Sequence, residues 1–383
     1  MKKKIRKYTP DRFNLILDKY RDTVAVNSAK ARNYIRQLDY KNNFYLLGCI
    51  AQTYLDESLF EENGSNKMRK ELNFRKLRMA EKYIIEAYKL CPENGEGLYT
   101  MGSVRRVYDD QKNMAIGCYE DVIKLGVTKI SKQEYSRGRA FARELVNDAR
   151  FELYRLYYDV SQTYFDMYKK GVEKGIAPYT PLKKFLIKKG REEIKQKNTN
   201  ADKNKMDKFD LMLEKYWNTV ATDSAKARNY IRKLDYKDNV YLLGLIAQTY
   251  LDECRIEENG NNKINFRKWR MAYNYVMTAY NMDFNNAANI YTIGELRKLK
   301  VQDDFLAIFC YKKIIELGVN KIAKQEHSGG RAFARELVNN AKFELYKLYD
   351  YTSKKYLAMY KKGLEKGITT IYTPLKKFLI KEQ

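Results

Sequence analysis

The chain has 383 residues, enough for two or three domains with substantial cores. Its 44% hydrophobic and 32% charged residues exclude wholesale disorder and a collagen-like or purely coiled-coil fold. Lys+Arg outnumber Asp+Glu by 74 to 48, a net charge of +26 that predicts attraction to anionic partners and says nothing about fold.

At the start, Met1 to Tyr8 has the cations of a signal-peptide leader, but Asp11, Arg12 and Asn14 interrupt the apolar core that should follow. No apolar run approaches the roughly 18–20 residues of a membrane span. A soluble, cytoplasmic protein without a membrane partner is expected. Cys49, Cys91, Cys118, Cys254 and Cys310 form no CxxC pair and read as reduced core residues.

With only five prolines and nineteen glycines, long stretches run free of helix breakers. Phe13, Ile16, Leu17, Tyr20 and Val24 lie at helical spacing, and Phe209, Met212, Leu213, Tyr216 and Val220 repeat the stripe. A second helix follows Ser28, a third covers about Asn43–Phe60, and a fourth covers Phe74–Leu90, stopped by Pro92 and Gly95. Shorter helices follow over about Gly97–Tyr108 and Asn113–Leu125, the latter ending at Gly126. A long helix is expected from Arg139 to about Lys170, and Thr180-Pro181 opens a short one over Leu182–Lys188. No strand is expected.

The series then repeats. Ser28–Arg36 returns unchanged as Ser224–Arg232, Ile50–Glu57 as Ile246–Glu253, Gly138–Asn147 as Gly330–Asn339, and Tyr179–Lys188 as Tyr372–Lys381. The offset falls from 196 to 192 between Asn66 and Asn73, which marks a surface loop, because a helix interior cannot lose four residues without rotating its apolar face. We therefore divide the chain into a first copy (1–190), a polar linker (191–206) and a second copy (207–383), with the positive charge shared nearly evenly. The expected fold is all-α, a tandem duplication of a helical-repeat module of the α-solenoid kind.

Within each copy, Ala80, Ile84, Ala87 and Pro92, then Leu98, Met101 and Gly102, then Ala115, Tyr119, Val122 and Leu125 resemble the pattern of tetratricopeptide repeats. The second copy keeps Ala272, Val276, Ala279, Ile293, Gly294, Ala307 and Tyr311 but carries Phe284 where the proline stood. The resemblance covers about 44–125 and 240–317. It implies closely paired helices and a concave groove that holds a peptide or protein segment without catalysis.

Three basic clusters recur in both copies. Arg32 and Arg36, with Lys30, are echoed by Arg228, Arg232 and Lys226. Arg137, Arg139 and Arg143 surround a glycine-led helix start, as do Arg331 and Arg335, where backbone N–H groups and arginines four residues apart suit an anion. An ordinary helix start, with Arg143 paired to Glu134 or Glu144, is the plainer reading. Lys183 and Lys184 beside Phe185, and Lys376 and Lys377 beside Phe378, form the third. Tyr34, Tyr40, Tyr230 and Tyr236 are candidates for stacking bases, although tyrosines on apolar stripes also serve as packing.

The carboxylates Asp56, Glu57, Glu61 and Glu62, with Asp252, Glu253, Glu257 and Glu258, oppose a helix C-terminal dipole and call for internal cations such as Arg69, Lys70, Arg75, Lys263 or Arg267. His327, the single histidine, has Tyr135 as its counterpart, and no nucleotide, zinc or nucleophile motif is present. No cofactor, metal or catalysis is expected. The sequence reads as a binding scaffold for an acidic macromolecule, nucleic acid being favoured over a protein or peptide.

Overall fold

The computed structural model describes residues 10–24, 27–58, 73–180, 186–192, 208–258, 261–299, 304–325 and 330–368. The fold is all-α. The first series comprises α1 (Pro10–Val24), α2 (Ser28–Ile35), α3 (Phe44–Ser58), α4 (Phe74–Leu90), α5 (Gly95–Arg106), α6 (Lys112–Ile130) and α7 (Gly138–Glu173). After α8, helical over 186–192, come α9 (Lys208–Thr219), α10 (Ser224–Ile231), α11 (Val240–Asp252), α12 (Phe266–Met282), α13 (Ala287–Leu299), α14 (Asp304–Ile322) and α15 (Gly330–Glu365). No described helix is long and apolar enough to cross a membrane.

Asparagine and aspartate set the helix starts. Asn27, Asn73 and Asn94 accept from the N–H groups of Lys30, Lys76 and Gly97, and Asp223, Asn265 and Asn286 do the same for Lys226, Lys268 and Asn289. Each bond satisfies a donor that the first helical turn leaves unpaired. Gly126 and Gly318, both at φ 69°, break α6 and α14 one turn before their ends. The expected stop at Gly126 is thus a kink, and helix resumes to Ile130.

One expectation is overturned. Between α11 and α12, Arg255–Glu258 (β1) pairs antiparallel with Asn261–Ile264 (β2), Glu258 opposite Asn261. The sequence Asn259-Gly260 falls between them, and an Asn-Gly pair favours the tight turn that matches strand twist. The four-residue gap between the copies lies in this segment. Its counterpart in the first copy lies outside the described residues, as do 182–185 of the expected helix Leu182–Lys188, whose described part is the start of α8.

Two compact units partition the chain differently from the sequence copies: Met1–Tyr158 with Thr352–Gln383, and Asp159–Tyr351. The boundaries fall inside α7 and α15. In the first unit, α3 packs on α4 and α5 on α6, and Ala80, Ile84, Ala87, Ala115, Tyr119 and Val122 are buried. A Cβ at Gly102 would lie 2.9 Å from the Tyr119 ring, so glycine sets the approach of α5 and α6. The second unit reproduces this with Gly294 and Tyr311.

Each unit is closed by helix ends from opposite copies. In the first, Phe151 lies against Tyr360 (4.8 Å between ring centroids) and Tyr157 stacks on Tyr356 (5.7 Å). In the second, Tyr168 lies against Phe343 (4.7 Å), Phe165 on Tyr346 (4.6 Å) and Tyr164 on Tyr349 (5.7 Å).

Candidate nucleic-acid interface

The basic clusters separate once their environments are seen. Asn27 starts α2 so that Ser28, Ala31, Arg32 and Ile35 face inward. Arg32 is only 5% exposed. Its guanidinium donates to Thr53 Oγ1 at 3.2 Å and Glu57 Oε1 at 2.6 Å, and lies 3.8 Å from the centre of the Tyr54 ring. Lys76 pairs with the other Glu57 oxygen. Arg228 repeats the arrangement with Thr249 (3.1 Å), Glu253 (2.9 Å), the Tyr250 ring (3.8 Å) and Lys268.

Arg32 and Arg228 therefore leave the outward-facing ridge expected for them. They and the two lysines, rather than Arg75 or Arg267, neutralise the carboxylates. Burial would raise the Glu57 carboxyl, but Lys76 and Arg32 outweigh it and hold the group below its ordinary range. Its neighbour Asp56 accepts from Gln52 Nε2, but burial prevails and pushes it up to about 6.

Arg36 and Arg232, one turn on, are exposed. Arg36 donates to Tyr54 Oη at 2.8 Å, and Arg232 to Tyr250 Oη at 2.7 Å and Tyr275 Oη at 3.5 Å. Behind them Tyr54 stacks on Tyr83 (5.7 Å), with Tyr40 edge-on to Tyr83 (6.4 Å); Tyr250, Tyr275 and Tyr236 repeat the group at 5.8 and 6.4 Å. Each copy thus carries an arginine at the rim of a half-buried tyrosine cluster, with a neutralised arginine beneath. Cations over aromatic faces attract by the ring quadrupole, which fixes both parts. Tyr34 packs against the core, and Lys233 lies over the Tyr230 ring at 5.7 Å.

At the starts of α7 and α15, Gly138 and Gly330 adopt φ 84° and 72°. Arg137 pairs with Glu96 (3.3 Å) and covers the Phe141 ring (3.7 Å). Arg331 donates to Asn320 Oδ1 (2.9 Å). Arg139, Arg143 and Arg335 are exposed. Lys183, Lys184, Lys376, Lys377 and His327 lie outside the described residues.

Sequence reasoning missed a buried charge network. Glu344, fully buried, accepts from Lys298 and Lys347 at 2.6 Å each and from the Tyr179 hydroxyl. Lys298 also meets Glu295 (2.6 Å), which accepts from Tyr311 Oη (2.6 Å). Burial would raise the Glu344 carboxyl, yet the two lysines hold it below its ordinary value. Its counterpart Glu152 pairs with Arg106 and, at 3.9 Å, with Arg155. The repeated tetrapeptide Phe-Glu-Leu-Tyr (151–154 and 343–346), a carboxylate set in an apolar stripe, was the available signal. Within its own unit, each glutamate pairs with cations from its own and a neighbouring helix and ties the two together. Among the described residues, no cluster of three or more His, Cys, Asp or Glu could hold a metal. No protein-family profile matches the chain, and no curated protein matches it either.

Proposed function

We propose that the chain is a non-catalytic, helical-repeat scaffold that binds an acidic macromolecule, with nucleic acid as the favoured partner. The observation that carries this reading is the duplicated rim: Arg36 above Tyr54, Tyr83 and Tyr40, and Arg232 above Tyr250, Tyr275 and Tyr236. A cation beside tyrosines suits a single strand, where phosphates meet charge and bases meet rings. Two such sites on one chain raise the effective concentration of a long ligand at the second once the first is engaged. Titration of a fluorescent oligouridylate across a salt series tests this. Affinity should fall steeply with salt, and Arg36→Ala with Arg232→Ala should flatten the slope by about 0.7 per arginine. Salt-insensitive binding, or an unchanged slope in the double variant, overturns it.

A second reading, a tetratricopeptide-like adaptor for a peptide or protein segment, draws on the second copy alone. There Phe284, Phe305 and Phe309 are largely exposed, at positions where the first copy has Pro92, Asn113 and Gly117. Exposed aromatics of this kind mark protein contacts more often than phosphate contacts. Nuclease-resistant peptide binding that is lost in Phe305→Ser with Phe309→Ser would favour the adaptor.

A further inference from the structure

The contacts that close the two units are reciprocal. In the first unit, Phe151 lies against Tyr360, and Tyr157 stacks on Tyr356 with 6° between the ring planes. In the second, Tyr168 lies against Phe343, and Tyr164 stacks on Tyr349 at 2°. A Cβ at Gly363 would meet Asn147 in the first unit, and one at Gly171 would meet Asn339 in the second. Adding the offset of 192 to Asn147, Phe151, Tyr157, Tyr164, Tyr168 and Gly171 gives Asn339, Phe343, Tyr349, Tyr356, Tyr360 and Gly363. Every contact is therefore matched by its own mirror, residue i on j and j on i, which is the property of a two-fold contact between identical surfaces.

All six positions carry the same residue in both copies, although their neighbours differ: Asp148, Gln162, Thr163 and Asp166 on α7 are Asn340, Lys354, Lys355 and Ala358 on α15. The contacts thus do not distinguish the copies, whereas the charge around them does. From 147 to 171, α7 carries four cations and four anions; from 339 to 363, α15 carries six cations and two anions. A second α7 would meet α7 without net repulsion. Two α15 helices would bring two positive surfaces together, and like charges suppress a pairing that shape allows. One flanking contact adds to this bias. Phe165 stacks on Tyr346 at 4.6 Å, and Tyr154 is the counterpart of Tyr346, so a pair of α7 helices keeps this contact on both sides. A pair of α15 helices has Leu357 in place of Phe165.

We propose that the ring face of α7 is a self-complementary docking surface whose partner is α7 of a second copy of this chain, with Tyr157 of each on Tyr164 of the other and Phe151 on Tyr168. Within one chain α15 covers this face, because the peptide link between the copies holds it at high effective concentration. The proposal stands apart from the nucleic-acid reading.

Uncovering α7 in the full chain tests it. Tyr349→Lys with Tyr356→Lys removes both stacking rings of α15 and should shift the chain towards dimer in sedimentation. In that dimer, p-benzoylphenylalanine in place of Tyr157 should crosslink to 160–168 of the second molecule. The mirror variant, Tyr157→Lys with Tyr164→Lys, uncovers α15 instead and should give no such shift. No dimer from a helical first variant, a dimer crosslinked elsewhere, or equal dimer from both variants overturns the proposal. A second measurement leaves α15 intact. Heavy- and light-isotope chains carrying only the probe at position 157 are unfolded and refolded together at high concentration in molar salt, which screens the repulsion between α15 helices. Heavy–light crosslinks to 160–168 should appear beside same-chain crosslinks to 352–360. Same-chain crosslinks alone count against the surface.

Discussion

The interior between α5 and α6 and its counterpart between α13 and α14 solve one problem with different residues. In the first unit, Tyr119 Oη meets Ser103 Oγ at 3.0 Å, and Arg106 reaches Glu152. In the second, Tyr311 donates to Glu295, and Lys298 bridges Glu295 and Glu344. One site adds a buried carboxylate and the other does without it, yet every charge retains a partner. An unpaired buried ion costs several kcal/mol, whereas a neutral hydroxyl pair satisfies the same tyrosine. The lesson is that the shared glutamate is fixed, and the residues around it vary only in ways that keep it paired.

Removing that glutamate is the strongest way to break the comparison. Glu344→Ala leaves Lys298 with Glu295 alone, removes the acceptor of Lys347 and of the Tyr179 hydroxyl, and should cost about 2–3 kcal/mol. Glu152→Ala should cost a similar amount, because Arg106 and Arg155 are as accessible to solvent as Lys298 and Lys347. Thermal melts followed by exchange within 287–299 and 95–106 would compare the two. The stabilisation tied to Glu344 also depends on pH. Its carboxyl is depressed in the folded state, so the contribution is complete above the unfolded carboxylate range and is lost as pH falls through the folded value.

A smaller effect is expected at Gly171 and Gly363, where an added Cβ would meet the side chains of Asn339 and Asn147. Alanine at either should destabilise by about 1–3 kcal/mol through overpacking. Gly171→Ala should act on the second unit and Gly363→Ala on the first, read by the same exchange measurement.

The smallest effect has the opposite sign. Asp56, raised to about 6, binds its proton more tightly folded than unfolded. Its ionised form therefore weakens the fold above that pH and has no such effect near pH 4. Asp56→Asn should stabilise by about 1 kcal/mol at pH 8 and by almost nothing at pH 4, measured by denaturant unfolding. Asp252 accepts from Ser224 Oγ at 3.1 Å, a donor that Asp56 has exchanged for Gln52, so the matching change there sharpens the contrast between the copies.

Much of this was legible in the residues. Helical spacing placed α3 to α7 within about five positions of their ends, because apolar stripes and Gly or Pro stops are local. The stripe Ser28, Ala31, Arg32, Ile35 also held the information that Arg32 points inward, since it shares a face with Ala31 and Ile35. Counting charge without reading that face set the arginine outside. Asn259-Gly260 similarly encoded the hairpin. Other features had no sequence signal. Copies that carry the same ring positions cannot say which copy a helix end packs upon, so the pairing of Phe151 with Tyr360 and of Tyr168 with Phe343 had to be observed. The rim tyrosines Tyr83 and Tyr275 lie on α4 and α12, 47 and 43 residues after the arginines they flank, and only the fold brings them together.

The crossing of the helix ends also sets an order of events during synthesis. The second unit has all its parts once Tyr351 has left the ribosome, although it is encoded later, whereas the first, with its amino-terminal helices made earliest, still needs Thr352 onward. Phe151 and Tyr157 on α7 must therefore wait for Tyr360 and Tyr356 on α15 to be made before their part of the first unit is complete.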